Sequence, residues 1–390
     1  MAINDLTFFE FFAGGGMARL GLGDAWTCRF ANDWSEKKAE SYRSYFGPSP
    51  ELVVRDVAKI ATGELPGTPD LVWASFPCQD LSLAGNYAGL KGSRSGTFRP
   101  FWTLMKGLAA EGRKPPLVVL ENVFGALTSH GGKDFETIVR IIATAGYSVG
   151  AMVIDAVRFV PQSRPRLFII AVADEREIPV SIRRNDPSES WHPRALVSTL
   201  EQFPSALKSR WIFWNLPEPP ARKTVLSELI EDEPTGVEWH SLAVTNRLLS
   251  LMSDLNREKV RSARRAGERI VGTVYKRTRP LKSETANVVL KAQRAEARFD
   301  EISGCLRTPT GGSSRQTILV VNGKKIRSRL LSPREAARIM GVPDQYPVLP
   351  NYNHAYHVFG DGLVVPVVSW LEQHLLRPIA LQKRALAGVA

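Results

Sequence analysis

Residues 70–80 read Asp70-Leu71-Val72-Trp73-Ala74-Ser75-Phe76-Pro77-Cys78-Gln79-Asp80. The apolar run up to Trp73 predicts a short buried strand. Pro77, with no amide hydrogen to continue a ladder, predicts its end. Cys78 then falls in the loop at the carboxyl end of a strand, the edge where open α/β sheets hold their ligands. The loop from Ser82 to Thr97 carries Gly85, Gly89, Gly92 and Gly96 and suits closure over a ligand. A thiol placed there is either a nucleophile or an inert, half-buried side chain, and its company elsewhere in the chain decides between the two.

Upstream, residues 7–12 form a strand-prone run that passes into Ala13-Gly14-Gly15-Gly16 and then a helical pattern through Met17, Leu20 and Leu22. Strand, glycine turn and helix make the first unit of a nucleotide-type α/β sheet, with backbone amides exposed to a ligand. Cys28 to Asn32 reads as a second strand ending at Asp33-Trp34. Asp33 is read either as a ribose-binding acid or as the cap of the helix beginning at Ser35, two compatible roles. Val53 to Val57 repeats the pattern, with Asp56 at the strand end.

Composition bounds the reading. At 390 residues with 44% hydrophobic content, the chain can fill two cores. Its net charge of +12 favours a polyanionic partner. The excess is concentrated in residues 255–299, with thirteen Lys or Arg against four acids, which suits phosphate neutralisation. Three dispersed cysteines and six scattered histidines show neither a disulfide framework nor zinc spacing. No metal is expected. There is no signal-peptide pattern and no long apolar run, so a soluble, cytoplasmic protein is expected.

Downstream, Phe101 to Leu108 has helical spacing. Leu117 to Val123 is a buried strand ending in Glu121-Asn122-Val123, where a carboxylate needs a partner or a task. Phe135 to Ala145 predicts a helix. Tyr147 to Ile154 and Leu167 to Ala173 predict antiparallel strands around Gln162-Ser163-Arg164-Pro165-Arg166, whose arginines suit an anion. Regularity fades after about residue 180. Thr245 to Arg265 reads as one basic helix, and 304–315 as a polar loop suited to a phosphate backbone. Ile318 to Leu331 reads as a hairpin turning at Asn322-Gly323. Ser332-Pro333-Arg334-Glu335 has the signature of a capped helix start, and Phe359 to Leu376 reads as a glycine turn and helix.

Taken together and in order, these residues resemble the DNA (cytosine-5)-methyltransferases, particularly the bacterial restriction-modification type, over nearly the whole chain. Pro77-Cys78-Gln79 is similar to the family's nucleophile motif, Glu121-Asn122-Val123 to its base-binding acid, and Gln162 to Arg166 to its two-arginine motif. The resemblance implies catalytic roles for Cys78, Glu121, Arg164 and Arg166. It implies S-adenosylmethionine as cofactor, bound by Phe12, Ala13, Gly14, Gly16, Asp33, Trp34, Asp56, Pro77 and Asp361. It implies substrate contacts from Gln79, Ser82, Arg94, Asn122 and Val123, and from Gly311 and Gly312. Two departures are Met17, where the family usually has glycine, and Asp361, where it usually has Asn.

The implied fold is a Rossmann-like α/β methyltransferase sheet, mostly parallel with an antiparallel hairpin strand, in residues 1–179 and 344–390. A smaller irregular target-recognition domain, 180–343, is expected across a DNA-binding cleft. The expected partner is double-stranded DNA, with a cognate restriction endonuclease acting separately and the enzyme a monomer. Three rivals remain: methylation of cytosine in transfer RNA, a non-enzymatic DNA-binding relative, and a nucleotide-linked oxidoreductase resting on the glycine turn alone.

Overall fold

The computed structural model describes residues 6–77, 97–281, 290–308 and 315–382. Cys78, Gln79, Ser82, Arg94, Gly311 and Gly312 lie outside the described residues. The chain forms two compact units, one of Met1–Asp155, Pro165–Pro220 and Leu363–Ala390, the other of Ala156–Arg164 and Ala221–Gly362.

The first unit is built on a seven-stranded sheet: β1 (Leu6–Phe11), β2 (Trp26–Asp33), β3 (Leu52–Val54), β4 (Leu71–Ala74), β5 (Leu117–Val123), β6 (Tyr147–Asp155) and β7 (Pro165–Ala173). Their order is β3-β2-β1-β4-β5-β7-β6. The first five run parallel, and β7 is antiparallel to both β5 and β6, which is the expected architecture. Strands covered on both faces read as continuous apolar runs, and all four residues of β4 are fully buried. Helix α1 (Met17–Leu22) follows β1, α2 (Glu36–Phe46) follows β2, α3 (Phe98–Ala110) precedes β5 and α4 (Lys133–Thr144) precedes β6. Helix α3 buries Phe98, Phe101, Trp102, Leu104, Met105 and Leu108, a helical repeat of apolar positions. Its Phe101 ring meets Phe11 of β1 edge-on at 5.1 Å; burying one such side chain contributes about 1.5–3 kcal/mol.

The C-terminal segment returns to this unit. The region expected as one helix from Phe359 is split: one helix, Tyr352–Asp361, ends in the second unit, and another, Val365–Leu371, starts with Pro366 in its first turn. The latter lies so close to α1 that a Cβ on Gly21 would overlap Val368. Ser369 Oγ donates to the Gly21 carbonyl at 3.0 Å, and Trp26 Nε1 to Glu372 at 2.8 Å.

The first unit extends to Pro220, where the sequence reading drew a boundary at 180, and the reason is packing. Leu196, Leu200, Phe203 and Leu207 enter the first unit's core, and Val149 of β6 exchanges backbone hydrogen bonds of 2.9 Å with Arg210 and Ile212.

The second unit is more regular than expected. Leu290–Arg298, Arg269–Leu281, Thr317–Asn322 and Lys325–Leu330 form an antiparallel sheet in that spatial order. The expected hairpin is present, but Asn322 pairs with Lys325, so its turn is Gly323-Lys324. The expected single basic helix is two, Leu242–Ser250 and Asp254–Ala266, because Ser253 caps the second at Asn256 N. Val260 and Ala263 of that helix pack on Val274, Ala295, Leu319 and Val321. Ser332 and Glu335 form the expected reciprocal cap, and fully buried Arg329 pairs with Glu335 at 2.6 Å.

Candidate active site

The spatial order of the parallel strands reverses between β1 and β4, so a crevice opens outside their carboxyl ends. After β1 the chain turns sharply: Phe12 has φ 60°, Gly14 57° and Gly16 78°. A side chain on Gly16 would strike Phe46 and Tyr42. Two amides of this turn are held from β2: Ala13 N donates to the Asn32 carbonyl and Gly14 N to Asp33 Oδ2, each at 2.8 Å.

Buried Asp33 also accepts from Ser35 N at 2.8 Å. It therefore braces the glycine turn against the start of α2: the bond to Ser35 N is of the helix-start kind expected, and the bond to Gly14 N is one that the spacing alone did not suggest. Beside it Trp34, next to the end of β2, is 75% exposed. Asn32, read from the sequence as the end of the second strand, is buried and donates to the carbonyls of Val53 (3.0 Å) and Arg55 (2.8 Å), tying β2 to β3. Asp56 follows β3, exposed, with Oδ1 accepting from Ala58 N at 3.0 Å.

The ends of β4 and β5 are clamped together. Ala74 pairs with Leu120, and two residues on, Asn122 Nδ2 donates to the Phe76 carbonyl at 3.3 Å. Asn122 Oδ1 accepts from Val123 N at 2.9 Å. Phe76 is anchored by the Phe98 ring, 5.5 Å away, so the chain is fixed up to Pro77. Glu121, 8% exposed, pairs through Oε1 with Arg166 Nε at 3.1 Å. The β5–β7 register brings this about, because Val123 lies opposite Arg166. Arg166 Nη1 also donates to the Pro165 carbonyl at 3.0 Å.

The structure thus brings Phe12, Ala13, Gly14, Gly16, Asp33, Trp34, Asp56, Pro77, Glu121, Asn122, Val123 and Arg166 to one edge of one sheet. Arg164 and Asp361 belong to the second unit. Arg164, 2% exposed, donates to the carbonyls of Leu306 (2.9 Å), Gly360 (2.9 Å) and Gly362 (2.8 Å) and contacts Cys305 Sγ at 3.4 Å. These bonds give it a different employment from the one expected: it ties three segments of its own unit together. Gln162 does the same work, accepting from Leu306 N at 3.0 Å and donating to the Ile339 carbonyl at 3.3 Å. Asp361 is the exposed last residue of its helix.

Among the described residues no group of His, Cys, Asp or Glu is placed to hold a metal ion, and no helix is long and apolar enough to cross a membrane.

The family profile described as C-5 cytosine-specific DNA methylase matches residues 6–377. The chain is 26% identical over 379 residues to the type II methyltransferase M.HhaI of Haemophilus parahaemolyticus, covering 96% of this chain and 95% of that one. It is 22% identical over 381 residues to M.HpaII of Haemophilus parainfluenzae, covering 96% and 90%. Among solved structures, a Spodoptera frugiperda DNMT2 mutant superposes with a TM-score of 0.60 at 15% identity, over 95% of this chain and 99% of that one. The S. pombe Dnmt2 methyltransferase gives 0.58 at 16%, over 96% and 99%. These structures share the fold; the profile covers nearly every strand and helix above, and the chain belongs to the C-5 cytosine-specific DNA methylase family of DNA methyltransferases.

Proposed function

We propose that this enzyme methylates C5 of a cytosine rotated out of a specific double-stranded DNA sequence, through a covalent bond from Cys78 to C6, as the modification enzyme of a restriction-modification system. The observation that carries this reading is the Asn122–Phe76 clamp. It fixes Phe76, two residues before Cys78 in the sequence, to the end of the strand that carries the Glu121 carboxyl.

The strand-end residues fit S-adenosylmethionine: an exposed indole at Trp34, acids at Asp33 and Asp56, and a positive-φ glycine turn that lets a ligand approach the backbone. When bound, that cofactor supplies an electrophilic sulfonium methyl group. The residues supply the rest. The Cys78 thiolate adds to C6 of the ring, which leaves carbanion character at C5. Glu121 faces the ring's N3 edge and shares a proton with it, while Arg166 holds the carboxyl's orientation. After the methyl group reaches C5, the C5 proton leaves to base and the electron pair of the C–H bond expels Cys78 sulfur. None of this is possible in a stacked duplex, so the base must be swung out, at a cost of a few kcal/mol. Arg164 is proposed to act through the second unit, whose basic helix and sheet would hold and read the DNA.

Duplex DNA carrying 5-fluorocytosine at the target, incubated with cofactor, should trap a denaturant-resistant adduct that Cys78→Ser abolishes. Turnover retained by Cys78→Ser would exclude the thiol. Methyl transfer to transfer RNA in place of duplex DNA would overturn the substrate assignment. Sequencing genomic DNA from cells expressing the protein, with a chemical readout of 5-methylcytosine, supplies the recognition sequence.

A further inference from the structure

The sheet of the second unit carries a projection. Its strands Arg269–Leu281 and Leu290–Arg298 pair from Thr273 opposite Arg298 to Leu281 opposite Leu290, whereas Thr317–Asn322 pairs with the first of them only from Arg269 to Val274. From Tyr275 and Glu296 outward the two strands therefore run on as a ribbon beyond the third strand. Seven residues on each strand make the ribbon about 20 Å long. By sequence it holds five Lys or Arg against one acid, Glu296, so the partner it suits is an electron-rich one.

Register sorts these residues by face. Val274, Ala295 and Ala297 share the face that packs on Val260 and Ala263 of the helix Asp254–Ala266. Arg277 and Arg294 lie directly opposite each other on the other face. Like charges so placed have Cβ atoms about 5 Å apart and destabilise a sheet, a cost that an acceptor set between them would relieve. Glu296, on the same face, pairs with Arg277 Nε at 3.3 Å, and the Arg277 side chain is 55% exposed. That bond engages Nε; the two terminal nitrogens, the ones that make a fork, lie beyond it. A two-stranded ribbon fits the major groove of B-DNA, about 12 Å wide, where guanine presents O6 and N7 as a matching pair of acceptors. Side chains stand roughly perpendicular to a sheet. In a ribbon lying flat in the groove, a cross-strand pair on the face therefore points at the base edges, whereas the phosphates flank the ribbon's sides.

We propose that Arg277 and Arg294 are specificity-determining residues, each reading a guanine of the recognition sequence outside the target base pair through a forked hydrogen bond in the major groove. The inference rests on duplex DNA as the substrate. Contact with backbone phosphate instead would carry no base preference, and so makes a different prediction.

The test gives wild type, Arg277→Gln and Arg294→Gln the same randomised duplex DNA library with S-adenosylmethionine, and sequences the products with a chemical readout of 5-methylcytosine. The sequences methylated by wild type should share G·C pairs besides the target pair. Each variant should lose about tenfold or more of the discrimination at one such pair and shift there toward A·T, because a Gln amide matches adenine N6 and N7. The remaining positions should stay as in wild type. Slower methylation of an unaltered motif by both variants would assign the arginines to phosphate and overturn the proposal. Unaltered rate and motif would turn that face to solvent and overturn it equally. Should one variant fail to fold, the other decides alone. A wild-type protein that methylates no duplex in the library would bring down the substrate reading itself, a distinct outcome.

Discussion

Replacing Glu10 by Gln should change how stability depends on pH. Glu10 lies in β1, 2% exposed, behind the glycine turn, and its Oε2 has no hydrogen-bond partner. Burial pushes its carboxyl up from 4.5 to about 8, against the pull of the Arg19 charge and of the Arg19 and Ala18 amides. The neighbouring groups respond to the same burial: the Cys28 thiol is pushed up to about 12, and the Tyr42 hydroxyl upward as well. An acid with a raised folded-state pKa keeps a proton that the unfolded chain has already lost. Wild-type stability therefore falls with rising pH between about 4.5 and about 8, by about 1.4 kcal/mol per pH unit from this group. The loss is absent below that window and levels off above it, reaching on the order of 5 kcal/mol in full. Gln cannot ionise, so Glu10→Gln should gain on wild type along that slope, as read by urea unfolding across about pH 5 to 9. A variant-to-wild-type difference constant over this range would refute a protonated, buried Glu10.

Three further outcomes rest on named side chains. Arg164→Ala strands the carbonyls of Leu306, Gly360 and Gly362 and should destabilise the protein by at least about 3 kcal/mol; full stability with abolished activity would return Arg164 to the reacting anion. Gly16→Ala, at φ 78° against Phe46 and Tyr42, should cost about 1–3 kcal/mol, seen as a lowered melting temperature with weakened S-adenosylhomocysteine binding. Neutralising Arg257, Arg261 and Arg264 on the helix Asp254–Ala266 should weaken DNA binding and lower its salt slope by about 0.9 for each phosphate no longer neutralised. An unchanged slope would place that face toward solvent.

Motifs whose meaning is local were legible before any coordinates. The strand Leu71–Ala74 stops before Pro77, which has no amide hydrogen to continue a ladder, Ser332 and Glu335 cap each other across three residues, and strands buried on both faces read as apolar runs. The strand Arg269–Leu281 was not legible. Its Arg and Lys residues mask the alternation of Ile270, Gly272 and Val274, and only pairing with Leu290–Arg298 and Thr317–Asn322 identifies it. Residues 181–220 carried no local sign that Leu196 and Trp211 would pack against the first unit.

Sequence by itself determined the order of the parallel units, the identities at their strand ends and the caps, because hydrogen bonds between near neighbours and apolar periodicity are written into adjacent residues. Only the tertiary structure decided that Arg166 meets Glu121 while Arg164, two residues away, ties together the second unit. The two side chains are chemically identical; their partners are set by sheet register and by surfaces far apart in the chain, for which no local pattern exists.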